Sequence, residues 1–333
     1  MLSALADLLQ ELHSPVSLRA RIIVALLGAV IFSSLALTVI AGLLVTGVLR
    51  PLKATESIDL SRFLGSAQTI DFTSSDGRTH TGWFFPGLRG APVIVICHGY
   101  KSSRAEILTI ATSLQQHRYN VFTFNLAGHG DSPVAYTTLG YRETEELLAA
   151  LQMLSTRTDI DSNRIGIWGQ SLGAYAALTV APQMTSVRAI ALDSTYPRPE
   201  FLLERELYRG PATQIPLLLS VARLEFDVVS SFFGDHPEAA DSLDRLAGVP
   251  KMFILSSDKP ILADATRRLF DQAPGPKEIE VRPRTSLNLL IEEERRVDET
   301  LLVRFFHGTC PWWPPLVPSR ICMFLVGQSN GVG

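Results

Sequence analysis

Residues 164–181 read RIGIWGQSLGAYAALTVA. A short apolar run, Arg164 to Trp168, leads directly into Gly169-Gln170-Ser171-Leu172-Gly173, and an alanine-rich, helix-forming segment follows at once. The pentapeptide fits G-x-S-x-G, a pattern that chance alone yields in about one chain in ten of this length. Its setting makes it informative. A buried strand that turns sharply into a helix pushes the central serine outward on a strained bend. Glycines are needed on either side because a Cβ there would strike the neighbouring strand or helix. The helix start also presents unpaired N–H groups and positive partial charge where an oxyanion would form. Ser171 is therefore the expected nucleophile.

Working outward, the same rhythm of apolar run, glycine-bearing loop and helical stretch recurs. TIDFTSSDGRTHTGWFF (69–85) reads as a hairpin around a Ser-Asp-Gly turn. APVIVICHG (91–99) has the unbroken apolarity of a strand buried on both faces. YNVFTFNLAGHG (119–130), VRAIALD (187–193), PKMFILSSD (250–258) and KEIEVRP (277–283) are further strands, separated by helical spacing. Strands alternating with helices imply an α/β fold with a mainly parallel, doubly wound sheet. Residues 195–248 break the rhythm with two or three helices, the central one IPLLLSVARLEFDVVSSFF, and read as a cap over the strand ends, where open α/β sheets bind ligands.

Three motifs in order, His98-Gly99-Tyr100, Gly128-His129-Gly130-Asp131-Ser132 and Gly169 to Gly173, resemble the α/β-hydrolase superfamily in its serine-hydrolase branch of esterase-like and serine aminopeptidase-like proteins. The resemblance covers roughly residues 68–305. It implies an α/β-hydrolase domain over 67–305 that cleaves a carboxylic ester or amide through an acyl-enzyme on Ser171. It implies oxyanion donors at the backbone N–H of Leu172 and of Tyr100, supported by His98, Gly99, Gly169 and Gly173. Removing one such donor costs about 3 kcal/mol in other hydrolases. The family's acid follows the strand after the cap; Asp258, in SSDKPILAD, is the match, ahead of Asp193 and Asp264. No cofactor and no metal are implied.

The family's histidine should follow the last strand. That place, VRPRTSLNLLIEEERR, has none. Its matching positions, about 284–287, begin with Arg284, and an arginine stays protonated and cannot act as a base. The full set is His13, His80, His98, His117, His129, His236 and His307. His98 and His129 are expected to bond their own loops. His236 lies in the cap. His307, some twenty residues late, is a weak candidate base. The alternative reading is a non-catalytic pseudo-hydrolase that binds a ligand or protein partner.

Composition limits the rest. Apolar residues make up 46% and charged residues 19% of 333, and the net charge is −3. With no basic tract, nucleic-acid binding is not expected. Three cysteines without metal-ligand spacing argue against a disulfide framework and a zinc site. Residues 22–49, IIVALLGAVIFSSLALTVIAGLLVTGVL, carry no charge and would make a helix of about 42 Å, longer than the ~30 Å hydrocarbon core. They are expected to form a single N-terminal membrane span, with sidedness undetermined because Arg19, Arg21, Arg50 and Lys53 balance its ends. Residues 1–21 read as a lead-in, 50–66 as a linker and 306–333 as an irregular tail. The greasy cap and the membrane segment point to an acyl or lipid-like substrate. Oligomeric state is not legible.

Overall fold

The computed structural model describes residues 18–53, 67–210, 215–233, 238–284 and 292–311. Most of the expected lead-in, of the linker and of the tail lies outside these residues, and residues 18–21 of the lead-in belong to the first helix. Helix α1 (Leu18–Leu49) is followed by the antiparallel hairpin β1 (Gln68–Thr73) and β2 (Thr79–Phe85). The chain continues through β3 (Pro92–Cys97), α2 (Leu108–Gln116), β4 (Asn120–Phe124), α3 (Tyr141–Ser155), β5 (Asp161–Gln170), α4 (Leu172–Val180) and β6 (Val187–Asp193). After the cap come β7 (Lys251–Ser256), α7 (Pro260–Gln272), β8 (Lys277–Arg282) and α8 (Glu292–Thr309).

The strands form one eight-stranded sheet in the order β1-β2-β4-β3-β5-β6-β7-β8. Only β2 runs against its neighbours; β3 to β8 are parallel, as the alternation of strands and helices requires. Every residue of β3, β4 and β7 is buried, so these largely apolar runs show no alternation. One face of the sheet carries α3, α4 and α7. The other is covered by α2 and α8, whose Leu301, Leu302, Phe305 and Phe306 pack on Ile94, Trp168 and Ala189.

The cap consists of α5 (Pro199–Leu207) and α6 (Pro216–Ser230), each opened by a proline whose missing N–H is harmless in the first turn, and then short 3₁₀ turns. It rises between β6 and β7, above the carboxyl ends of the strands.

Two boundaries differ from the sequence reading. Helix α8 continues through Thr309 because Phe305 and Phe306 are buried anchors of the core, so residues 306–309, read from the sequence as the start of an irregular tail, are helical. Helix α1 is not separate from the domain that follows it. From Arg21 to Leu35 every side chain is exposed, but Ala41, Val45, Val48 and Leu49 belong to the main core, packed with the cap helices α5 and α6. The backbone carbonyl of Leu49 accepts from the Thr137 N–H at 2.8 Å, and Lys53 Nζ donates to the carbonyls of Ser132 and Val134 at 3.0 and 3.4 Å.

Candidate active site

Ser171 sits between the last residue of β5 and the first of α4, with φ +48° and ψ −107°. Such a backbone is strained for a residue with a side chain, and it persists only where its surroundings force it. Three contacts do so. The Ser171 N–H donates to the Asp193 carbonyl at 2.7 Å. A Cβ at Gly169 would lie 2.3 Å from the Gly173 carbonyl oxygen. One at Gly173 would lie 2.4 Å from that of Cys97. Helix and strand can therefore approach this closely only through glycine.

The loop after β3 lies beside this turn. Cys97 pairs in register with Gly169, and a Cβ on Gly99 would come within 3.4 Å of the Gln170 carbonyl. The Leu172 amide opens α4 and so has no intrahelical acceptor. Neither it nor the Tyr100 amide finds an acceptor among the described residues. Two unpaired donors thus flank the serine, one from each loop.

His98 and His129 hold this arrangement. His98 Nδ1 donates to the Gly99 carbonyl at 2.8 Å, while its Nε2 accepts the Leu126 N–H at 3.0 Å. His129 Nδ1 donates to the Ala127 carbonyl at 2.8 Å, and its Nε2 accepts the Lys101 N–H at 3.0 Å. Both nitrogens of each ring are engaged as donor and acceptor, which fixes the neutral tautomer. Burial, with each ring enclosed by protein, pushes His98 down to about 3 and His129 to about 4. These imidazoles brace the Tyr100 loop against the 125–130 loop and have no lone pair to spare for Ser171.

Asp258 lies on the turn after β7, at the same end of the sheet as Ser171. Its carboxylate is exposed, accepts from Ser256 Oγ and faces the Arg205 guanidinium of the cap electrostatically. Asp193 is committed elsewhere: it accepts from Gln170 Nε2 at 2.9 Å and Ser194 Oγ at 2.7 Å. Asp264 falls within α7.

His307 is corrected outright. It lies in the last turn of α8, whose end is at the opposite end of the strands, where they begin. Gly308 and Thr309 share an open groove of about 280 Å³ with Pro250 and Lys251, where β7 begins. The Pro311 carbonyl accepts from Arg164, near the start of β5. Ser171 is seven strand residues further on, about 23 Å at ~3.3 Å per residue. The buried end of α8 fixes that separation. His80 is buried beside Ser74 and Glu146, and His117 is exposed at the end of α2. Among the described residues no imidazole reaches Ser171. His13 and His236 lie outside them, as do residues 285–291, where the family histidine would stand. The arginines flanking that stretch are used in ion pairs that tie β8 to α8: Arg282 with Asp298 at 2.6 Å and Arg284 with Glu294 at 3.5 Å.

The structure also adds residues that no motif marks. The Tyr100 hydroxyl donates to the Val48 carbonyl at 2.7 Å, joining the loop that carries an unpaired amide to the end of α1. Lys101 Nζ pairs with the buried Glu206 of α5 at 2.8 Å, and Arg205 pairs with the same carboxylate at 2.7 Å. These partners are far apart in sequence, so no spacing rule marks them. Only the compact charge pattern ERELYR in the cap draws attention to that segment.

Comparisons with known proteins agree with this architecture. The family model described as "Alpha/beta hydrolase family" matches residues 94–324. The uncharacterised protein YfhR of Escherichia coli O157:H7 is 28% identical over 218 residues, 58% of this chain and 72% of its own length. The alpha/beta hydrolase domain-containing protein WAV2 of Arabidopsis thaliana is 31% identical over 137 residues, 39% of this chain and 42% of its own. Among solved structures, the Pyrococcus furiosus esterase Pf2001 superposes with a TM-score of 0.62 over 79% of this chain and 100% of that one, at 18% identity. At that identity the likeness is one of fold.

Proposed function

The chain belongs to the alpha/beta hydrolase family, and from that premise we propose that it is a membrane-anchored serine hydrolase acting on a carboxylic ester or amide. The observation that carries the reading is Ser171 on its forced +48° bend between two unpaired amides. In the proposed reaction the Ser171 hydroxyl gives its proton to a base, which later passes it to the leaving group, as Oγ forms a bond to the substrate carbonyl carbon. The carbonyl oxygen takes up negative charge and is held by the N–H groups of Leu172 and Tyr100. The intermediate then collapses, the alcohol or amine leaves with a proton, and water releases the acid from the acyl-enzyme. Asp258 would orient a base. The apolar run of α1 supports anchoring in a bilayer, and the apolar cap supports an acyl or lipid-like substrate.

A second reading is favoured by one observation: both imidazoles near the serine have their ring nitrogens spent, and His307 is remote. Without a base the serine would be a poor nucleophile, and the same pair of amides would bind a carbonyl or carboxylate without turnover. A fluorophosphonate probe on the full chain in detergent separates the two. Labelling that disappears in Ser171→Ala supports the hydrolase. If His236→Ala also abolishes it, the proton acceptor lies in the cap. A parent chain that stays unlabelled while it binds a carboxylic acid favours the binding protein.

A further inference from the structure

Helix α6 has two faces of quite different use. Leu218, Leu219, Ala222 and Phe226 are buried in the core. On the opposite side Leu217, Leu224 and Val228 recur at helical spacing, 63%, 63% and 54% exposed, with Phe232 beyond them at 83%. Ser220 and Asp227 border this stripe on one side. Glu225 borders it on the other and meets α1, its Oε2 lying 3.2 Å from where a Cβ on Gly42 would be. A contiguous apolar stripe edged by polar residues marks an interaction surface.

The place of contact with α1 identifies the occupant. Residues 21–40 of α1 are free of charge after Arg21 and almost wholly exposed, and at 1.5 Å per residue they measure ~30 Å, one hydrocarbon thickness. The fully buried stretch starts at Ala41, one turn after the partly buried Leu37 first packs against the core, and Glu225 of α6 meets α1 at Gly42. The bare length of α1 therefore ends at the level of the α6 stripe, and Leu43, 68% exposed, continues the apolar surface between them. We propose that α6 is an interfacial helix whose Leu217–Leu224–Val228 stripe dips into the surface of the bilayer that α1 spans, seating the cap and the Ser171 cleft on the lipid. This rests on the membrane-anchor reading above. It differs from that reading in assigning a second, independent contact: an amphipathic helix lying in the headgroup region, apolar side down.

The test uses the full chain with Cys322→Ser in 3:1 phosphatidylcholine and phosphatidylglycerol vesicles. The two described cysteines are buried and do not compete for label. Single cysteines carrying an NBD fluorophore replace Phe32 on bare α1, Leu224 and Val228 on the stripe, or exposed Gln116 on the far side of the domain. Lipids bearing a nitroxide near the headgroup should cut the emission from residues 224 and 228 about twofold or more and leave residue 116 unchanged. A nitroxide deep in the chain should quench residue 32 most strongly. Quenching at 32, with 224 and 228 as bright as 116, overturns the proposal and leaves the anchor intact. Brightness at 32 as well overturns both. Protection of 224 that depends on protein concentration rather than on nitroxide lipid assigns the stripe to a second copy of the chain, and also overturns it.

Discussion

At the scale of single residues, the bend at 171 rests on two missing methyl groups. In Gly173→Ala the new Cβ would overlap the Cys97 carbonyl, a backbone atom that cannot step aside without parting β3 from β5. The expected loss is about 2–3 kcal/mol, seen as a lower melting temperature, together with slower labelling of Ser171. The buried imidazoles make a prediction about pH. Native His98 and His129 stay neutral down to about 3 and 4, whereas in the unfolded chain each takes a proton near the ordinary histidine value of 6.5. Between those values the unfolded state binds more protons, so each ring's contribution is full above about pH 6.5 and falls as the pH drops. The slope is about 1.4 kcal/mol per pH unit per ring. Denaturant titrations at pH 4.5–6 should show His129→Gln flattening the dependence of stability on pH by about that amount. An unchanged slope would mean that His129 is charged in the native protein. Ser171 was legible because its motif is local: strand, turn and helix adjoin in sequence. The Tyr100–Val48 bond was not, because it spans 52 residues and leaves no periodic mark.

At the scale of elements, α1 shows where hydropathy reading stops. A leucine facing lipid and one facing a protein core have the same side chain, so residues 22–49 read as one uniform span. The structure divides them into a bare part up to Leu35 and a part that packs on the domain, lightly at Leu37 and fully from Ala41. The strands were legible because three of them are buried on both faces and bounded by glycine loops. The register between distant elements was not, because it depends on long-range packing. Tyr100→Phe tests the link between elements. It removes the donor to a carbonyl in the last turn of α1, where helical carbonyls lack their own partners. A loss of about 1 kcal/mol is expected, measured by thermal unfolding of the detergent-solubilised chain. No change would show that α1 is held by apolar contact alone.

At the scale of the whole molecule, the alternation of elements foretold the parallel sheet and the cap between β6 and β7. It could not foretell that helix α1 and the domain share a core. Deleting residues 1–50 therefore takes away more than an anchor. Ala41, Val45, Val48 and Leu49 leave the interior, roughly 5 kcal/mol of apolar burial, and the matching faces of α5 and α6 are laid bare. The shortened chain should aggregate or melt well below the full one, as read by light scattering and differential scanning fluorimetry. A shortened chain with an unchanged melting temperature would show the contact to be incidental.

The packing of Ala41 to Leu49 also governs reach. A domain hung on a floppy leash of about seventeen residues would swing through some 23 Å and graze on whatever drifted past. Here residues 41–49 are themselves packed into the domain, so the face that carries Ser171 keeps a constant height and tilt relative to the exposed length of α1. On the proposed anchoring, that fixed height decides which carbonyl compounds come within reach of Ser171.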